Sequence, residues 1–95
     1  MTIQTSSALR RNARVEYRSL ADGQGGVLLH LTTGAYHGVN EVGAVIWSLL
    51  DGRSLGELVA ALREMIDDAP PGFDAEIRAY VEALVARDLV LGDPV

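Results

Sequence analysis

The sequence predicts an α+β fold in which a three-stranded antiparallel sheet is followed by three helices. Three observations carry this expectation. Residues 13–39 hold three short segments of alternating or β-branched character, divided by a glycine-rich stretch and by Thr33-Gly34. Residues 40–88 then hold three stretches in which apolar side chains recur every three or four positions. Finally, Pro70-Pro71 sits between the second and third of these stretches, where a helix must stop.

Residues 1–12 are expected to be a mobile N-terminal tail, because the first nine are Ser/Thr-rich without periodicity, and residues 13–95 to be the folded domain. Ala13 to Leu20 sets Val15, Tyr17 and Ser19 against Arg14, Glu16 and Arg18, the pattern of a half-buried strand. Ala21 to Gly26 is the connecting loop, and Val27 to Thr32 the second strand. Thr33-Gly34 supplies a turn in which glycine accepts a positive φ, so Ala35 to Val39 returns as the third strand. A two-residue turn would pair Leu31 with Tyr36, His30 with His37, Leu29 with Gly38 and Leu28 with Val39. One face would then carry Leu29, Leu31 and Tyr36, the other both histidines, and the third strand would be an unpaired edge.

Asn40 is a preferred N-cap and Glu41 a favourable first-turn charge, so a helix begins there with Val42, Val45, Ile46, Leu49 and Leu50 as its stripe. It closes at Asp51-Gly52. Ser54 and Glu57 have capping-box spacing for a second helix with Leu55, Leu58, Val59, Leu62 and Ile66 inward. Asp74 is the expected cap of a third helix reaching about Asp88, whose apolar face holds Phe73, Ile77, Tyr80, Val81, Leu84 and Val85 and spans roughly 140°. Leu89 to Leu91 follow as an extended tail.

The run LLHLTTGAYHGVNEVGAVIWSLLDG, with the helices after it, resembles the PqqD-like domain. Gly34, Asn40, Gly43, Ile46, Trp47, Asp51 and Gly52 fall on the positions that carry the likeness. His37 departs from it where a second aromatic is common, and His30 where an acid is common. The resemblance implies a winged helix-turn-helix-like fold. It also implies recognition of leader peptides during biosynthesis of ribosomally made, modified peptides, most like the stand-alone proteins of lasso-peptide pathways.

Composition bounds the alternatives. A chain of 95 residues buries only about two-thirds of its unfolded surface, which leaves little room for an internal active site. Cysteine is absent, which removes disulfides, thiolate metal sites and cysteine nucleophiles. No apolar run is long enough for a signal sequence or a membrane span, so a cytoplasmic protein is expected. Arg10, Arg11, Arg14 and Arg18 against Glu16 give residues 1–18 a net +3; the whole chain carries −5, so the remainder carries −8. Such a body repels phosphate backbones and favours a basic partner.

Dedicated chemistry is hard to find. His30 and His37 fall short of the three or four ligands a metal needs, so both are expected on an exposed strand face, with His37 touching a bound peptide. No serine stands in a Gly-x-Ser-x-Gly frame, and Gly23 to Gly26 lacks the lysine and helix start of a phosphate loop. A winged-helix DNA-binding regulator shares the helix order. Against it, the third helix carries Asp74, Glu76, Glu82 and Asp88 against Arg78 and Arg87, a net −2.

The expected function is therefore non-catalytic, without cofactor, metal, nucleic acid or membrane. A leader peptide would add as a strand to Ala35, Tyr36, His37, Gly38 and Val39, against Ile77, Arg78, Tyr80, Val81, Leu84 and Val85 of the third helix. By the resemblance, the partners would be a separate leader peptidase, a transglutaminase-like cysteine protease, and a cyclase. A PqqD-type peptide carrier serving a radical enzyme in quinone-cofactor biosynthesis is the alternative of the same class.

Overall fold

The computed structural model describes residues 6–20, 25–66 and 68–92, which form two antiparallel three-stranded sheets and three helices. In chain order these are β1 (Ala8–Arg11), β2 (Val15–Ser19), β3 (Gly26–His30), β4 (Tyr36–Val39), α1 (Glu41–Ser48), β5 (Asp51–Ser54), α2 (Leu55–Met65), α3 (Phe73–Ala86) and β6 (Val90–Gly92).

The expected sheet is present in the order β2-β3-β4. Its first strand keeps the alternation of the sequence, with Val15 and Tyr17 half-buried and Glu16 and Arg18 exposed. The three helices follow in order. Asn40 caps α1 by accepting from the Gly43 amide at 2.8 Å, and Ser54 and Glu57 close both halves of the capping box on α2 at 3.1 and 2.9 Å.

Three expectations are corrected. Residues 8–11 are not part of a mobile tail but form β1, the centre of a second sheet ordered β5-β1-β6; residues 1–5 lie outside the described residues. Leu9 is 0% exposed there, beside Leu28, Leu58 and Val90 in the same core. The Leu89–Leu91 tail supplies β6, in which Leu91 pairs with Arg10. Third, α3 is capped not by Asp74 but by Gly72 at φ 82°, with no side-chain cap; Asp74 instead receives Arg63 Nε at 3.0 Å. The connecting loop expected over 21–26 lies outside the described residues at 21–24.

Core packing explains why the helices sit where they do. Ile46, Trp47 and Leu50 from the α1 segment, Leu55, Leu58 and Leu62 from α2, and Phe73, Ile77, Val81 and Leu84 from α3 meet Leu28 and Val39 of the first sheet. The second sheet clamps the two ends of this unit together, because β1 precedes everything else and β6 follows α3. Leu9→Ala should therefore lower stability by about 2–5 kcal/mol in a denaturant melt, the cost of a buried large-to-small change. A tail residue would give less than about 0.5 kcal/mol.

Candidate peptide-binding groove

The β3–β4 hairpin decides what its edge presents. Observed partners are Leu29 with Tyr36, Leu28 with His37, Val27 with Gly38 and Gly26 with Val39. The two-residue turn is therefore corrected to a longer loop over residues 31–34, in which His30 N–H donates to the Ala35 carbonyl at 2.8 Å and Gly34 N–H to the His30 carbonyl at 2.8 Å. Gly34 does adopt a positive φ of 77°. The register moves by two residues, and because side chains alternate with period two, every residue keeps its expected face.

The histidine face, however, is the inner one. Leu28, His30 and Val39 are buried, while Tyr36 on the other face is 77% exposed. His30, expected on an exposed face, is 3% exposed and no longer opposite His37, which is half-buried. It also has an acidic partner that the sequence did not reveal: Nε2 lies 3.0 Å from Asp88 Oδ2. Among the described residues there is no group of three or more His, Asp or Glu placed to hold a metal.

Among the described residues β4 is an edge strand, with β3 as its only sheet neighbour. In an antiparallel ladder alternate residues point their backbone groups outward. His30 and Ala35 form a bonded pair, so His37 and Val39 also face β3, while the N–H and C=O of Tyr36 and Gly38 face away from it.

Two contacts place α3 relative to this edge. A Cβ at Gly43 would collide with Tyr80 Oη and meet Val39 Cβ at 3.0 Å, so Tyr80 lies over the start of α1 at the Val39 end of β4. At the other end, Asp88 reaches His30 beside Ala35. The segment from Tyr80 to Asp88 thus runs antiparallel to β4. Its length, about 12 Å at roughly 1.5 Å per residue, matches Ala35 to Val39, about 13 Å at roughly 3.3 Å per residue. Burial pushes the Tyr80 phenol pKa up, in keeping with a ring packed on α1.

The expected helix residues divide accordingly. Ile77, Val81 and Leu84 belong to the core, the last two at 0% and 2% exposure, so a carboxylate at either position would oppose folding as well as binding. Arg78 lies on the α2 side, lining a cleft of about 150 Å³ with Leu55, Gly56, Val59 and Asp74. Val85, half-buried, is on that same flank by helical position. Tyr80 alone of the six is on the β4 side. Ala83 and Arg87 follow it at i+3 and i+7, both exposed; a small and a charged residue do not register in an apolar stripe. A second cleft, about 230 Å³ and lined by Glu41, Val42, Val45, Leu62, Met65 and Ile66, belongs to α1 and α2. No helix among the described residues is long and apolar enough to cross a membrane.

Against known proteins, residues 25–90 match the family model described as coenzyme PQQ synthesis protein D (PqqD). Two solved structures are similar over nearly the whole chain. One is TbiB1 in complex with the TbiA(beta) leader peptide, at 31% identity and TM-score 0.75, covering 90% of this chain and 99% of that one. The other is lasso peptide synthetase B1 complexed with the leader peptide, at 25% identity and TM-score 0.71, covering 88% and 98%. No curated protein matches.

The tight Gly43–Tyr80 contact gives a direct check on the geometry. Gly43→Ala should destabilise by about 1–3 kcal/mol through overpacking, in spite of alanine's better helix propensity. In a Tyr80→Phe background, which removes the clashing oxygen, the same change should cost measurably less; equal costs in a double-mutant melt would contradict the contact.

Proposed function

The chain belongs to the PqqD family, and on that premise we propose that it binds the leader segment of a ribosomally made precursor peptide as a strand added to β4, against the Tyr80–Arg87 flank of α3. The observation that carries this reading is the edge itself: among the described residues β4 has one sheet neighbour, and a helix of matching length runs beside it. The two similar structures, each holding a leader peptide and matched along nearly their full length, support it. They also favour a lasso-peptide pathway over the quinone-cofactor carrier that the family's name suggests.

Tyr36 and Gly38 offer two donors and two acceptors, so a peptide gains about four backbone hydrogen bonds at roughly 1 kcal/mol each. That does not offset the several kcal/mol lost on association. Two or three apolar anchors at about 1.5–3 kcal/mol apiece supply the difference and bring affinity to the micromolar range or better. Alternate peptide side chains would fall on the helix side of the sheet, where Ala83 leaves room between Tyr80 and Arg87. Selectivity therefore resides in what lies against that flank, since the ladder itself accepts any sequence. Arg87 is placed to meet a leader carboxylate, and the acidic body attracts leader lysines.

The role so assigned is cytoplasmic and non-catalytic. The domain holds the leader and presents it to a separate leader peptidase, a transglutaminase-like cysteine protease, before a cyclase acts. Calorimetry with a synthetic leader of the precursor encoded beside this gene tests the groove. Ala83→Asp should weaken binding about tenfold, the effect of one lost contact of about 1.4 kcal/mol. Arg53→Ala, whose guanidinium pairs with Asp51 at 2.9 Å on β5, should leave it unchanged. Equal effects of the two, with both variants folded by circular dichroism, would overturn the site.

A further inference from the structure

The end of α3 breaks a local rule in a way that points to a use. After its cap at Arg87, Leu89 N–H donates to the Leu84 carbonyl at 3.0 Å and Asp88 N–H to the Val85 carbonyl at 3.0 Å, a Schellman ending. The residue that must then be left-handed is Asp88, at φ 61°. Glycine occupies such positions without steric penalty, whereas an L side chain is disfavoured there. What the carboxylate does in return is visible. It receives His30 Nε2 at 3.0 Å and Asn12 Nδ2 at 3.3 Å, and Asn12 Nδ2 also donates to the Asp88 carbonyl at 2.8 Å.

His30 is spent entirely on this junction. Thr32 N–H donates to Nδ1 at 3.3 Å, so in the neutral ring the proton sits on Nε2 and is donated to Asp88. Its backbone N–H and C=O hold the hairpin loop through Ala35 and Gly34. Asn12 is engaged on other sides as well, its backbone N–H donating to the Leu89 carbonyl at 3.1 Å and its Oδ1 accepting from Arg14 N–H at 3.0 Å. One cluster therefore joins the loop that carries β4, the end of α3 and the segment between the two sheets.

We propose that this His30–Asp88–Asn12 clasp is a positioning device for peptide binding: it fixes the distance between the β4 edge and the Tyr80–Arg87 flank at the hairpin end, as the Tyr80 contact with α1 does at the other. The proposal rests on the reading of that groove as the peptide site. It assigns Asp88 a role in affinity although Asp88 would not touch the peptide. It also explains why an aspartate stands where glycine would serve the helix better.

The variants separate this role from folding. Asp88→Gly removes the carboxylate while suiting the left-handed backbone, so it should stay folded and melt near the parent. Asp88→Asn keeps an acceptor oxygen for His30 Nε2 and should behave as the parent does. The chain has no cysteine, so spin labels at Gly38→Cys and Ala83→Cys report the width of the groove without competing sites. The expected result is a narrow spin–spin distance distribution in the parent and in Asp88→Asn, and a broader one in Asp88→Gly. The same synthetic leader should bind Asp88→Gly about tenfold more weakly, the scale of a lost charge-assisted hydrogen bond. An unchanged width in Asp88→Gly, or broadening seen only as that variant unfolds, overturns the clasp. A parent that binds no leader overturns the peptide reading instead and leaves the width measurement standing.

Discussion

The proposed function follows from one strand, β4, having a single sheet neighbour among the described residues. An edge strand leaves N–H and C=O groups without ladder partners, and proteins usually shorten, bulge or cover such edges because they invite foreign strands. Here β4 is short and regular, and it runs from the hairpin loop straight into the Asn40 cap of α1. The chain can neither bulge it nor turn it away without disturbing the loop at one end or the helix start at the other. What bounds the edge is α3, set alongside it and fastened near both ends. A surface that would elsewhere be an aggregation hazard is thereby limited to a stretch of about four residues.

The rest of the fold reads as support for that slot. Gly43 lets Tyr80 lie on α1, which holds the Val39 end. The second sheet, joining the two ends of the described chain through β1 and β6, seats the residue after α3 against Asn12. A small protein cannot draw much rigidity from core size alone, since so little of its surface is buried. Polar contacts of high sequence separation, such as His30 with Asp88, add to it here. The acidic body adds a longer-range preference for basic partners but no geometric selectivity.

Local chemistry made some of this legible from the sequence. Asn40, Ser54 and Glu57 announce helix starts because their side chains satisfy backbone donors within three residues, and the apolar stripes of α2 and α3 follow from helical periodicity alone. Non-local features were not legible. ALRR at residues 8–11 lacks alternation and becomes a strand only because residues more than 40 positions away offer it partners. Thr33-Gly34 signals a turn but not its length, so the register slipped by two. Alternation told which residues share a face of the hairpin, not which face is inside. Leu29 and Tyr36 looked as suitable for the core as Leu28 and His30; the helices pack on the face of Leu28 and Val39, and Asp88 gives the histidine buried with them a polar partner. The helix flank facing β4 was likewise hidden, because apolarity marks the core of α3 and the slot is lined beside it.

Whether a peptide completes the sheet at β4 is read out by hydrogen exchange of the β4 amides. Alternation is the signature. On adding the leader peptide, the outward amides of Tyr36 and Gly38 should gain protection. The amides of His37 and Val39, already directed at β3, should change little. Protection that rises uniformly along the strand, or that appears on the α1–α2 cleft with β4 unaffected, would contradict it.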